Sequence, residues 1–209
     1  MLRIILLLSV LLSFAISPAD AADELKIALQ PLGKVPADVV EKVRAQLSEI
    51  YAVHVEVLPP KELPASAFYR PRERYRAEKL LDWLEANTAA TFTKVIGVTT
   101  SDISTTKGEV FDWGIFGLGQ LGQRPCVIST FRLMRGVPHE KMLQRTQRVA
   151  AHEVGHTFGL EHCPTPRCTM NDAEGKVATV DAENGQLCEQ CRARVPVAKI
   201  SPAGASGPR

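Results

Sequence analysis

The sequence predicts an α+β domain in which helices pack on a mixed, twisted sheet. Three observations support this. Apolar residues switch repeatedly between period two and helical spacing over roughly the first hundred positions. A glycine- and aromatic-rich stretch follows, and beyond it comes one long amphipathic helix with no further strand pattern. The 209 residues, 45% hydrophobic and 23% charged, suffice for one domain with a sizeable core.

Residues 24–33 (ELKIALQPLG) alternate as a strand, with Leu25, Ile27 and Leu29 on one face. Pro36 opens a helix carrying Val39, Val40, Val43, Leu47 and Ile50. YAVHVEVLPP returns to alternation, with Val53, Val55 and Val57 together. A second helix is expected over 72–86, and the stretch 95–98, rich in β-branched residues, marks a third strand. FDWGIFGLGQLGQRPCVISTFRL predicts two short strands about a turn at 121–125, the second over 126–131. Pro138 then starts a helix that should run to about Phe158.

The two ends fall outside this domain. Arg3, an apolar run over 4–16 and the small residues Ala19 and Ala21 compose a signal peptide, with cleavage expected after Ala21. The alternative is an uncleaved anchor, although the run is short of the roughly 20 residues a membrane span needs. Residues 195–209, rich in Pro, Gly, Ala and Ser, are expected to be a disordered tail, leaving 22–194 as the folded domain. The leader implies export, with no stable membrane insertion after cleavage, and a monomer is the expected state. The net charge of +2 offers no bulk attraction to nucleic acid.

The chemistry concentrates in HEVGHTFGLEHCPTPRCTM, residues 152–170. On a helix, His152 and His156 are one turn apart and share a face, so both can reach one ion. Glu153 lies beside His152, close enough to meet a water on that ion without ligating it. Gly159 can end the helix with φ > 0 and swing His162 back as a third ligand. Three neutral imidazoles leave Zn²⁺ an open position, where water acidifies to a pKa of about 7 and attacks a carbonyl with Glu153 as base.

Five cysteines are present, and four fall as C-x4-C and C-x2-C: Cys163, Cys168, Cys188 and Cys191. That spacing suits a closed tetrahedral zinc site. Two disulfides are the rival, since exported proteins oxidise their thiols. Cys126 has no partner at ligand spacing and reads as a packing residue.

From His152 to Cys191 the chain fits H-E-x-x-H-x-x-G-x-x-H-C-x4-C-x-M-x17-C-x2-C. This pattern resembles the archaemetzincins, zinc peptidases within the metzincins, and YRPRERYRAEKLLDWL and GQRPCVISTFRL are similar to upstream segments of that family. The resemblance implies a metzincin-like fold: an upper sheet with helices, an active-site helix at a cleft, and a smaller zinc-bound part after Gly159. It implies peptide-bond hydrolysis of a peptide or protein substrate. It also implies two Zn²⁺ per chain, one catalytic on His152, His156 and His162 with Glu153 as base, and one structural on the four cysteines. Met170 would take the place of the methionine beneath the imidazoles. The competing class is a zinc-stabilised binding protein without turnover.

Other residues read more plainly. Arg70, Arg72, Arg74 and Arg76 are expected on a solvated helix face among glutamates, with His54 and His139 at the surface. Trp113 and Phe116 line the cleft or belong to the core.

Overall fold

The computed structural model describes residues 25–196. The expected leader (1–21), its cleavage point and residues 197–209 of the expected tail lie outside the described residues; Val195, at the tail's start, is buried. In chain order the chain forms β1 (Lys26–Leu32), α1 (Ala37–Tyr51), β2 (His54–Val57), β3 (Phe68–Tyr69), β4 (Arg74–Arg76), α2 (Ala77–Asn87) and β5 (Lys94–Thr99). There follow β6 (Ile103–Lys107), β7 (Val110–Ile115), β8 (Gly117–Gly119), β9 (Pro125–Ser129), α3 (His139–Thr157), α4 (Val177–Ala182) and α5 (Glu189–Arg194).

The main sheet has the order β2-β1-β5-β9-β8, parallel except for β8 at one edge. Helices α1 and α3 cover one face and α2 the other, which is why β5 and β9 read as near-continuous apolar runs. Ile27 and Leu29 join the α1–α3 core, while Ala28 and Leu32 join the core under α2. Pleat alternation thus sorts one strand's side chains between two cores.

Instead of one mixed sheet there are two. The second, β3-β4-β6-β7, hangs beside the first and includes β6, which the sequence pattern does not mark. The helix expected from position 72 begins at Ala77, because Arg74–Arg76 pair with β6 (Tyr75↔Ile103, Arg76↔Ser104). On a strand, positions 74 and 76 share a face. Arg74 therefore reaches Asp102 (2.7 Å) and Asp112 (2.8 Å), while Arg76, only 6% exposed, meets Glu78 (2.9 Å). These are internal ion pairs, so the solvated helix face expected of the arginines is corrected for this pair. Arg132 adds a two-point contact to Asp102 at 2.7 and 2.9 Å.

Candidate active site and metal centres

Helix α3 starts after Pro138 and buries Val149, Ala150 and Val154 against the sheet. Its end is fixed by backbone chemistry. Gly159, at φ 84°, donates to the His156 carbonyl (2.9 Å), and Leu160 donates to that of Gly155 (3.0 Å). This paired closure satisfies carbonyls that the helix end would otherwise leave unbonded, and it needs a left-handed residue at 159. The chain then reverses and brings His162 to His152 and His156, with ring centroids 5.4 and 5.0 Å away.

The first two imidazoles are oriented by what lies behind them. His152 Nδ1 contacts the Thr169 carbonyl and His156 Nδ1 the Leu160 carbonyl, each at 2.8 Å. A carbonyl only accepts, so both Nδ1 atoms carry the proton and both Nε2 lone pairs face forward, 3.0 Å apart. Tetrahedral zinc with Zn–N of about 2.0–2.1 Å would hold such atoms about 3.3 Å apart. Burial first, then His156, lowers His152 to a pKa of about 4, and burial lowers His156 as well. Both are therefore neutral at pH 7, the form that ligates. Asp172 stands 3.4 Å from His162 Nδ1. The three ligand atoms lie within 4.8 Å of one another, a set that could hold a metal ion.

Beneath them Met170 is fully buried, and its carbonyl accepts from the Cys163 N–H (2.8 Å). Glu153 is buried under β8, where burial pushes its carboxyl up to about 8 against the opposing Gly119 N–H. The closeness of strand to helix dictates two glycines. A Cβ at 117 would lie 2.6 Å from Glu153 Cγ, and one at 119 would lie 2.4 Å from the Glu153 carbonyl oxygen.

The four cysteines converge behind the histidines, from the loop after α3 and from the start of α5. Cys163 and Cys188 Sγ are 3.8 Å apart, and Cys168 and Cys191 Sγ 3.9 Å. A disulfide needs about 2.05 Å. Tetrahedral zinc with Zn–S of about 2.3 Å needs about 3.8 Å, so the thiols have metal-site spacing. The Cys191 backbone N–H donates to Cys188 and is the main cause of its pKa falling to about 6. Burial raises Cys168 and Cys191, so Cys188 ionises more readily than those two. Cys126 is fully buried and remote in spacing from the cluster, as a packing residue.

A cleft of about 400 Å³ runs past these groups. One wall is β7–β8 with Trp113 and Phe116, the floor is α3, and the far wall is the segment from Asp172 through α4. Trp113 is 39% exposed and Phe116 half-buried, so both face the cleft, whereas His54 and His139 are exposed away from it. Sequence reasoning missed Asp172, Gly117, Gly119 and Glu183 on these walls. Only the glycines left a signal: alternate glycines in a strand mark close backbone approach.

The profile of Peptidase family M54 matches residues 23–196. The chain is 34% identical over 173 residues to the archaemetzincin of Haloarcula marismortui, covering 79% of this chain and 96% of the relative. It is 31% identical over 179 residues to that of Halobacterium salinarum, covering 82% and 99%. Among solved structures, the archaemetzincin of Methanopyrus kandleri superposes with a TM-score of 0.69 at 30% identity, covering 84% of this chain and 96% of that one. That of Archaeoglobus fulgidus, complexed with malonate, superposes at 0.68 and 30%, covering 82% and 100%.

Proposed function

The chain belongs to Peptidase family M54 and is a zinc metallopeptidase acting on peptides or proteins, and from that premise we propose how its residues divide the work. His152, His156 and His162 hold the catalytic zinc, Glu153 is the general base, and Cys163, Cys168, Cys188 and Cys191 hold the structural zinc. Zinc on the three imidazoles supplies a Lewis acid that polarises a carbonyl and acidifies water. Glu153 takes the proton of the attacking water at a carboxylate oxygen and passes it to the departing amine nitrogen. Its place in the cleft beside the imidazoles suits this, since a general base must lie within reach of the proton it takes. Strand β8, at a sheet edge and flanking the cleft, offers backbone groups to an extended peptide.

The observation that carries this reading is the convergence of two forward-facing Nε2 atoms with His162 beside a buried carboxyl group. Glu153→Gln in zinc-loaded protein should lower kcat by roughly 10²–10⁴-fold in a peptide-library digest read by mass spectrometry. Equal cleavage by wild type and variant would remove Glu153 from the mechanism. Absence of cleavage by either would favour a zinc-stabilised binding protein.

Residues 1–21 support export, and the exported product should begin at or near Ala22 when sequenced. Recovery of an intact amino terminus in the membrane fraction would favour the anchor. Among the described residues, no helix is long and apolar enough to cross a membrane. Both ligand sets and Glu153 come from one chain, which supports a monomer. Light scattering near 22.9 kDa, less the leader, is expected, and twice that mass would overturn it.

A further inference from the structure

Val149 precedes His152 by three residues, so it lines the same face of α3 about one turn, ~5 Å, nearer the helix start. Across the cleft from it stands α4, which contributes Val180 and, just past its end, Glu183. Val149 and Val180 are 5% and 2% exposed, so this arm of the cleft has apolar walls. Glu183 is 4% exposed, and its Oε2 has no hydrogen-bond partner. Among the described residues it makes no ion pair. Arg148, whose charge partly favours the Glu183 carboxylate, makes no hydrogen bond to it: its Nη1 donates to the Val180 and Asp181 carbonyls at 3.0 and 3.1 Å. Arg145 binds Asp181 through two contacts of 2.9 and 2.7 Å. The end of α4 is thus pinned to α3 by its neighbours, and the Glu183 carboxylate is held in place with no hydrogen bond to Oε2.

We propose that Val149, Val180 and Glu183 form a specificity subsite for a lysine or arginine side chain adjacent to the scissile bond. The aliphatic stem would lie along this apolar wall and the cationic head would meet the Glu183 carboxylate. An isolated buried carboxylate is costly, and a buried charge is normally paired. Burial indeed pushes the Glu183 carboxyl up to about 8, with Arg148 only partly opposing. An arriving cation removes the cost and adds charge-assisted hydrogen bonds, whereas a neutral or acidic side chain leaves the carboxyl unpaired or repelled.

This inference rests on the cleft hydrolysing peptides, and its test separates the two. Matched peptides carrying Arg, Lys, norleucine or Glu at each position flanking the scissile bond would be digested by zinc-loaded wild type, Glu183→Gln and Glu183→Lys. At one flanking position, kcat/KM for Arg and Lys should exceed that for norleucine roughly ten- to a hundredfold. That ratio should collapse to about one in Glu183→Gln, and Glu183→Lys should favour Glu. A wild-type ratio near one at both positions, or a ratio unchanged in folded Glu183→Gln, would overturn the subsite. If no peptide is cleaved, or the variants do not fold, calorimetric binding of the same peptides to wild type decides. Tighter binding of the basic peptides by about tenfold supports the subsite, and equal binding overturns it.

Discussion

Met170 occupies the space that a side chain at position 155 would need. A Cβ built on Gly155 falls 2.4 Å from Met170 Sδ and 3.0 Å from the Tyr51 hydroxyl, which itself donates to the Ala151 carbonyl. The glycine inside the H-E-x-x-H segment is therefore required by packing, and it lets the methionine sit against the helix between the two histidines.

Gly155→Ala sets two effects against each other. Alanine favours a helix interior by about 1 kcal/mol, while overpacking a closed core costs about 1–3 kcal/mol. With Met170 fully buried, packing should win. A lower denaturant midpoint with weakened zinc binding at the histidines is the expected result, and a stabilised variant would contradict the contact.

The glycines of β8 should fail in different ways. At Gly117 the obstructing atoms belong to the Glu153 side chain, which can swing aside. Gly117→Ala should keep most of the stability but lose roughly 10²-fold in kcat, since displacing a reacting group by an ångström costs about that much. At Gly119 the obstacle is the Glu153 backbone oxygen, and no rotamer relieves it. Gly119→Ala should cost about 1–3 kcal/mol of stability. Melting curves beside kcat distinguish the two patterns.

Paired Cys188→Ser and Cys191→Ser substitutions should remove one zinc per chain and lower Tm on the order of 10 °C, because metal at a closed site contributes directly to folding. A mild chelator should instead strip the histidine-bound ion, abolish activity and leave the fold largely intact. Zinc analysis with free-thiol titration checks both, and one zinc with two disulfides would defeat the cysteine site alone.

Asp181 and Glu183 should pull stability in opposite directions with pH. Hydrogen bonding to Arg145 holds Asp181 at about 2, below the unfolded value of about 3.9. Its stabilisation is thus present above pH 4 and lost as pH falls toward 2, by about 1 kcal/mol after solvent screening. Glu183, raised to about 8 by burial, favours the folded state while protonated, and that advantage fades as pH rises from about 4.5 through 8. Denaturant midpoints across pH for Asp181→Asn and Glu183→Gln should each flatten one limb of the profile. A wild-type-like profile in either would refute the corresponding assignment.

The proposed histidine ligand set could be read from the sequence because its logic is local. Four of the decisive positions lie on one helix and its glycine cap, and His162 follows within three residues. Alternation and helical spacing likewise located β1, α1, β5 and α3. What escaped depends on distant partners. Nothing near Arg74 and Arg76 announces that β6 will lie alongside them, and their close spacing among glutamates imitates a solvated helix. The cysteine spacing favours zinc but leaves disulfides as a rival until the sulfur separations are known. Glu183 lies thirty residues from Glu153 in the chain, and only the packing of α4 on α3 puts both on one cleft.

A single peptide bond separates His162 from Cys163, and Asn171 Nδ2 donates to the Cys163 and Thr165 carbonyls at 2.6 and 2.8 Å. One short loop thereby carries a member of each proposed ligand set. An ion at either centre restricts the same backbone, so the second ion finds its ligands already ordered. Linkage makes that help mutual: by whatever factor the cysteine ion tightens the histidine centre, the histidine ion tightens the cysteine centre. The histidine centre should therefore bind zinc more tightly in chains whose cysteine centre is filled than in chains carrying Cys188→Ser and Cys191→Ser.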